Sequence, residues 1–155
     1  MEIYTVSLFG HRRVEELRLL ETRLAPIIRE LIMENVYVSF LIGRNGDFDE
    51  YAASVIKRVQ NELDMKNSDL TLVLPYEVAD IRYYEDYYDD VIIPEEMHGV
   101  HPKAAIKYRN FWMVERADLV ICYVGAKGGA EVALKYAEKL DKRIMNLFVS
   151  DASAD

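Results

Sequence analysis

One cysteine, Cys122, stands in the whole chain, and it lies inside an apolar run, so a disulfide framework is excluded. No stretch reaches the ~18 consecutive apolar residues that a membrane-crossing helix needs, so no membrane partner is expected. Positive charge is in short supply. Nineteen Lys and Arg stand against 27 Asp and Glu, for a net charge of −8. Duplex binding relies on a basic stripe that neutralises phosphates, so this balance argues against a nucleic-acid partner. Met1 leads straight into strand-like residues without a basic n-region or a small-residue cleavage site, which reads as a cytoplasmic protein. Internal repeats and low-complexity segments are also missing. The acidic clusters DFDE (47–50) and EDYYDD (85–90) fit the ligand spacing of no calcium loop and read as solvated faces. No metal and no obligatory cofactor is expected.

What is present fits one domain: 155 residues lie within the usual ~100–200 per domain. Residues 1–150 are expected to form it, with 151–155 as a disordered tail. IYTVSLF (3–9) is β-branched and aromatic and reads as a strand. From Val14 the apolar residues fall at helical spacing (14, 17, 20, 24, 27/28, 31), with Pro26 expected to kink the helix. VYVSFLIG (36–43) reads as a second strand. DFDEYAASVIKRVQNEL (47–63) reads as a helix whose first turn is acidic, as the helix dipole favours. LTLVLPY (70–76) is a third strand, stopped by Pro75. The tyrosine-rich residues 77–100 read as an irregular insertion with a short helix. A helix starts at His101-Pro102, with proline in its first position. DLVICYV (118–124) and RIMNLF (143–148) are the fourth and fifth strands. Between them Ala130, Ala133, Leu134, Ala137 and Leu140 give a helix its buried face.

Strand and helix alternate, and the second and fourth strands are nearly continuous apolar runs. That pattern predicts an α/β fold: a Rossmann-like three-layer sandwich with a five-stranded parallel sheet in the order 3-2-1-4-5. In such sheets ligands sit beyond the carboxyl ends of the strands where the order reverses, here between strands one and four.

Three glycine loops meet that description. They are Gly10-His11-Arg12-Arg13, Gly43-Arg44-Asn45-Gly46-Asp47 and Gly125-Ala126-Lys127-Gly128-Gly129, and each precedes a helix. Glycine lets backbone N–H groups close on an anion, and a helix N-terminus adds a favourable dipole. Gly10, His11, Arg12, Gly43, Asp47, Lys127, Gly128, Gly129 and Glu131 are therefore the candidate ligand-binding residues, for a phosphate or a nucleotide. Asp47 and Asp49 are candidates for ribose hydroxyls. The tyrosines at 83, 84, 87 and 88 read either as a base-stacking lid or as the surface of a homo-oligomer. Trp112 and Met113 read as core, His98 and His101 as loop and cap residues. The spacing matches neither GxGxxG nor the P-loop.

Gly10-His11-Arg12, the glycine–acid loop, Tyr108-Arg109-Asn110-Phe111-Trp112-Met113-Val114, ADLVICY (117–123) and AKGGAEVALKYA (126–137) together resemble the SLOG superfamily, above all its YpsA-like branch. The resemblance covers roughly residues 3–148. That superfamily includes LOG-type nucleotide phosphoribohydrolases, the DNA-processing protein DprA and sensors of NAD-derived nucleotides. The resemblance implies a nucleotide site built by the first and fourth strand loops, with Gly10, Gly128, Gly129 and Arg109 on family positions. In LOG-type enzymes an arginine and the helix glutamate of a GGxGTxxE motif carry N-glycoside cleavage. The glutamate's register falls here on Ala133, with Glu131 two residues early, about 200° around the helix. The threonine of that motif is also absent. The expectation is a protein that binds a small nucleotide or an NAD/ADP-ribose-type ligand. The alternative is a nucleoside-monophosphate N-glycosidase in which Glu131 and Arg109 are catalytic.

Overall fold

Strand β1 (Tyr4–Gly10) runs through the middle of a sheet in which every pairing is parallel. The computed structural model describes residues 2–149, and the expected tail at 151–155 lies outside them. After β1 come α1 (Leu17–Glu34), β2 (Val38–Ile42), α2 (Asp47–Leu63) and β3 (Ser68–Val73). Next are α3 (Ile81–Tyr87), β4 (Asp90–Ile92) and a 3-10 turn at Glu95–Met97. Helix α4 (Pro102–Arg116), β5 (Leu119–Tyr123), α5 (Gly129–Lys139) and β6 (Arg143–Asn146) complete the chain.

The strand order is β4-β3-β2-β1-β5-β6, so the sheet has six strands, not the five expected. The other five follow the expected order. The added strand is β4, three residues within the segment read as irregular, which pairs with β3 at Thr71↔Asp90 through Val73↔Ile92. Three residues are too few for an alternation to register in sequence. Its docking depends on tertiary contacts: Asp89 accepts the Leu70 N–H at 2.7 Å and returns its own N–H to Leu70 O at 2.9 Å.

Side chains of β1 alternate between two cores, as the period of two along a strand requires. Val6 and Leu8 join Phe40, Ile42, Leu70 and Leu72 beneath α1 and α2, whose Leu24, Ile28, Phe48 and Ile56 are fully buried. Phe9 faces the other way, with Val120 and Cys122, against Val114 of α4 and Ala130, Ala133 and Ala137 of α5. Small alanines let α5 lie close to the sheet. Burial raises the Cys122 thiol to about 12, so it is packing and not a nucleophile. Helix α1 runs unbroken through Pro26. Among the described residues no helix is long and apolar enough to cross a membrane.

Candidate functional site

The chain goes from β1 to β2 on one side and later returns to β5 on the other, so a crevice opens between the carboxyl ends of β1 and β5. A cleft of about 330 Å³ lies there. Gly10, His11 and Arg12 form one wall, Lys127, Gly128 and Gly129 the facing one, and Asn45, Asp49, Arg109 and Asn110 lie between them. Six of the nine predicted ligand-binding residues thus come together. Gly43, Asp47 and Glu131 do not line the cleft.

Each absentee has a local task. A Cβ on Gly43 would stand 2.9 Å from the guanidinium nitrogens of Arg109, so this glycine makes room for that side chain. Asp47 Oδ2 accepts the Val14 N–H at 3.0 Å, which ties the β1 loop to the start of α2. Glu131 sits in the first turn of α5, its Oε1 3.6 Å from Lys135 Nζ. Ala133, where the resemblance to LOG-type enzymes would put a glutamate, is 1% exposed in the α5 core, so no carboxylate reaches the cleft from there.

His11 holds the two walls together. Its Nε2 accepts the Gly125 N–H at 2.8 Å, and its own N–H donates to Tyr123 O at 3.2 Å. An Nε2 that accepts has no proton, so the neutral ring carries its hydrogen on Nδ1. Burial lowers the His11 pKa below its usual value, with the nearby Glu131 carboxylate opposing, and the lowered value favours this neutral form. The other wall turns at Gly128, whose φ of 150° lies where side-chain-bearing residues are rare. Gly128 caps α5 without a side-chain hydrogen bond, and the N–H groups of Gly129, Ala130 and Glu131 in its first turn find no acceptor among the described residues.

The floor is polar and buried. Arg109 is 2% exposed and Asp49 8%. Arg109 donates through Nη1 to Val73 O at 2.8 Å, through Nη2 to Asn45 Oδ1 at 2.7 Å and through Nε to Asn110 Oδ1 at 2.9 Å. Burial lowers its pKa, partly offset by the Asp49 charge. Asp49 Oδ2 accepts the Asn45 N–H at 2.8 Å. Burial raises the Asp49 carboxyl to about 6, against the pull of that N–H and of Arg109. Asn45 and Asn110 were not among the predicted site residues. Their signal was adjacency alone: one lies inside the second glycine loop, the other follows Arg109.

His101 caps α4, its Nδ1 accepting the Lys103 N–H at 3.1 Å, and Met113 is fully buried. Trp112 is only partly buried, with Arg116 stacked over its ring at 3.9 Å. Tyr83, Tyr84, Tyr87 and Tyr88 form a separate patch with Arg44, outside the cleft.

No protein-family model and no curated protein matches this chain. Solved structures do. The chain is similar to DNA processing protein A (DprA) from Streptococcus pneumoniae, with 15% identity and a TM-score of 0.71 over 99% of this chain. It spans 54% of that DprA chain. Two structures of the molybdenum cofactor carrier protein from Chlamydomonas reinhardtii align with 92% of this chain at 15% and 14% identity. Their TM-scores are 0.56 and 0.58, and 74% and 75% of those chains are covered. At such identities the likeness is one of fold: this chain shares with DprA and the cofactor carrier a Rossmann-like parallel sheet flanked by helices.

Proposed function

We propose that this protein binds a small phosphate-bearing ligand, a nucleotide or an NAD/ADP-ribose-type molecule, in the cleft between β1 and β5. One observation carries the reading: the open N-terminus of α5, entered through Gly128-Gly129, faces Arg12 and a buried polar floor across a single cleft. Backbone N–H groups and the helix dipole favour an anion there, and Arg12 and Lys127 add charge at the rim. The fold supports binding of this kind, since one neighbour, seen in two structures, is named as a carrier of a cofactor. The glycosidase alternative is weaker, because the position of the LOG-type glutamate is a core alanine and Glu131 lies outside the lining.

Thermal denaturation with AMP, ADP-ribose, NAD and inorganic phosphate tests the reading. A ligand at 100 times its Kd stabilises the fold by about 2.7 kcal/mol. Gly129→Val should keep the fold, because a Cβ there meets no atom within 4 Å, yet weaken binding by filling the mouth of the cleft. No stabilisation by any of the four at millimolar concentration overturns the proposal. Release of free base from AMP would move the reading to the N-glycosidase.

A further inference from the structure

Arg109 decides which way two amides face. A guanidinium donates and never accepts. Its Nη2 points at Asn45 Oδ1 and its Nε at Asn110 Oδ1, so each amide must turn its NH2 away from the arginine. Both asparagines line the cleft, and neither Nδ2 donates to another group among the described residues. Arg109 thus acts as a positioning residue that leaves two amide donors of cleft-lining residues without a protein partner among the described residues. Asp49 lines the same cleft, with Oδ2 held by the Asn45 N–H and no donor on Oδ1 among the described residues. The floor therefore combines an acceptor with two amide donors, with the carboxylate almost fully buried. Phe9, the one phenyl ring in the lining, is 4% exposed, so the floor offers hydrogen bonds and not a stacking face.

We infer that Asp49, Asn45 and Asn110 form a sugar-hydroxyl subsite that selects a ribose-bearing phosphate over its 2-deoxy counterpart. This rests on the phosphate reading proposed above, which places the anion at the Gly128-Gly129 rim. A phosphate is repelled by the Asp49 carboxylate and stays at the rim, while the neutral, hydroxyl-rich part of the ligand goes down to the floor. A hydroxyl donates to Asp49 Oδ1 and accepts from an asparagine NH2. A ligand without that hydroxyl leaves a buried acceptor desolvated and unpaired, which is how a polar site rejects an analogue.

Calorimetry on the full chain at pH 7.5 compares ribose 5-phosphate with 2-deoxyribose 5-phosphate, AMP with 2′-deoxy-AMP, and inorganic phosphate alone. The ribose compounds should bind on the order of ten- to hundred-fold more tightly than their deoxy partners. Asp49→Asn keeps shape and the acceptor for Asn45 N–H; it should reduce that ratio to within about threefold and leave phosphate affinity at least as high. Arg109→Lys lacks the fork that turns both amides, so it should lower the ratio while inorganic phosphate still binds. Equal binding of ribose and deoxy forms by the unaltered protein overturns the subsite and leaves the phosphate reading standing. Failure of all five probes to bind overturns both. A ratio unchanged in Asp49→Asn overturns the carboxylate's part in the subsite.

Discussion

Asp47 and Asp49 look alike in the sequence, two acids in the first turn of α2, yet the fold gives them different chemistry. Asp47 bonds the backbone of the β1 loop, whereas Asp49 is buried in the cleft floor. Arg109 on α4, Arg12 after β1, Glu50 on α2 and Tyr88 after α3 face Asp49, and burial still prevails, raising it from 3.8 to about 6. Between 3.8 and about 6 the folded state binds more protons than the unfolded one, so stability falls as pH rises through that window. A rise from 3.8 to about 6 corresponds to roughly 3 kcal/mol, fully felt above pH ~6. Asp49→Asn carries no such cost. Urea denaturation should show the variant's advantage over the parent growing by up to about 3 kcal/mol from pH 4 to pH 7. An advantage that stays flat across that range would mean that Asp49 is not a buried carboxyl.

At the scale of elements, α2 and α5 begin in the same way. Each is capped by a glycine, Gly46 at φ 134° and Gly128 at φ 150°, with no side-chain cap. Their surroundings differ. A Cβ on Gly46 would collide with the backbone of Arg12, so α2 can approach the β1 loop only through a glycine. A Cβ on Gly129, one residue into α5, meets open space at an ordinary φ. Gly46→Ala should therefore lose more than about 2 kcal/mol through collision and strain together. Gly129→Ala should be neutral or gain up to about 1 kcal/mol from helix propensity. Urea midpoints measured side by side check this, and equal effects would show that the two helix starts are not built differently. The glycine-to-helix pattern was legible in the sequence. Which glycine answers a close contact and which opens a cleft was not, because that depends on the neighbour each one meets.

For the whole molecule, shape and charge point in different directions. The fold is shared with a DNA-processing protein, while the net charge is −8. Binding of single strands without sequence preference depends on a positive groove and released counterions, and a shared sheet supplies neither. Fluorescence anisotropy with a labelled oligothymidylate at physiological salt should give a Kd weaker than about 10⁻⁴ M. Micromolar, salt-sensitive binding would show that a local basic surface outweighs the overall acidity.

By itself the sequence determined the alternation of strands and helices and the strand ends that carry the glycine loops, while the order of the five longer strands was expected from the fold class that this alternation suggests. The alternation and the loops follow from hydrophobic period, from apolar runs at β2 and β5, and from glycines at strand ends, all of which are local properties of the chain. Tertiary structure decided the rest. Strand β4 is too short to carry a pattern and exists because β3 offers it an edge, with Asp89 closing the pair. Arg109, a catalytic candidate in the N-glycosidase alternative, is buried and spends three donors on Val73, Asn45 and Asn110. Asn45 and Asp49 come from the β2 loop and α2, and Asn110 from α4 on the other face of the sheet. Only packing around β1 brings them to one floor, and hydrogen-bond partners 64 residues apart leave no periodic trace in a sequence.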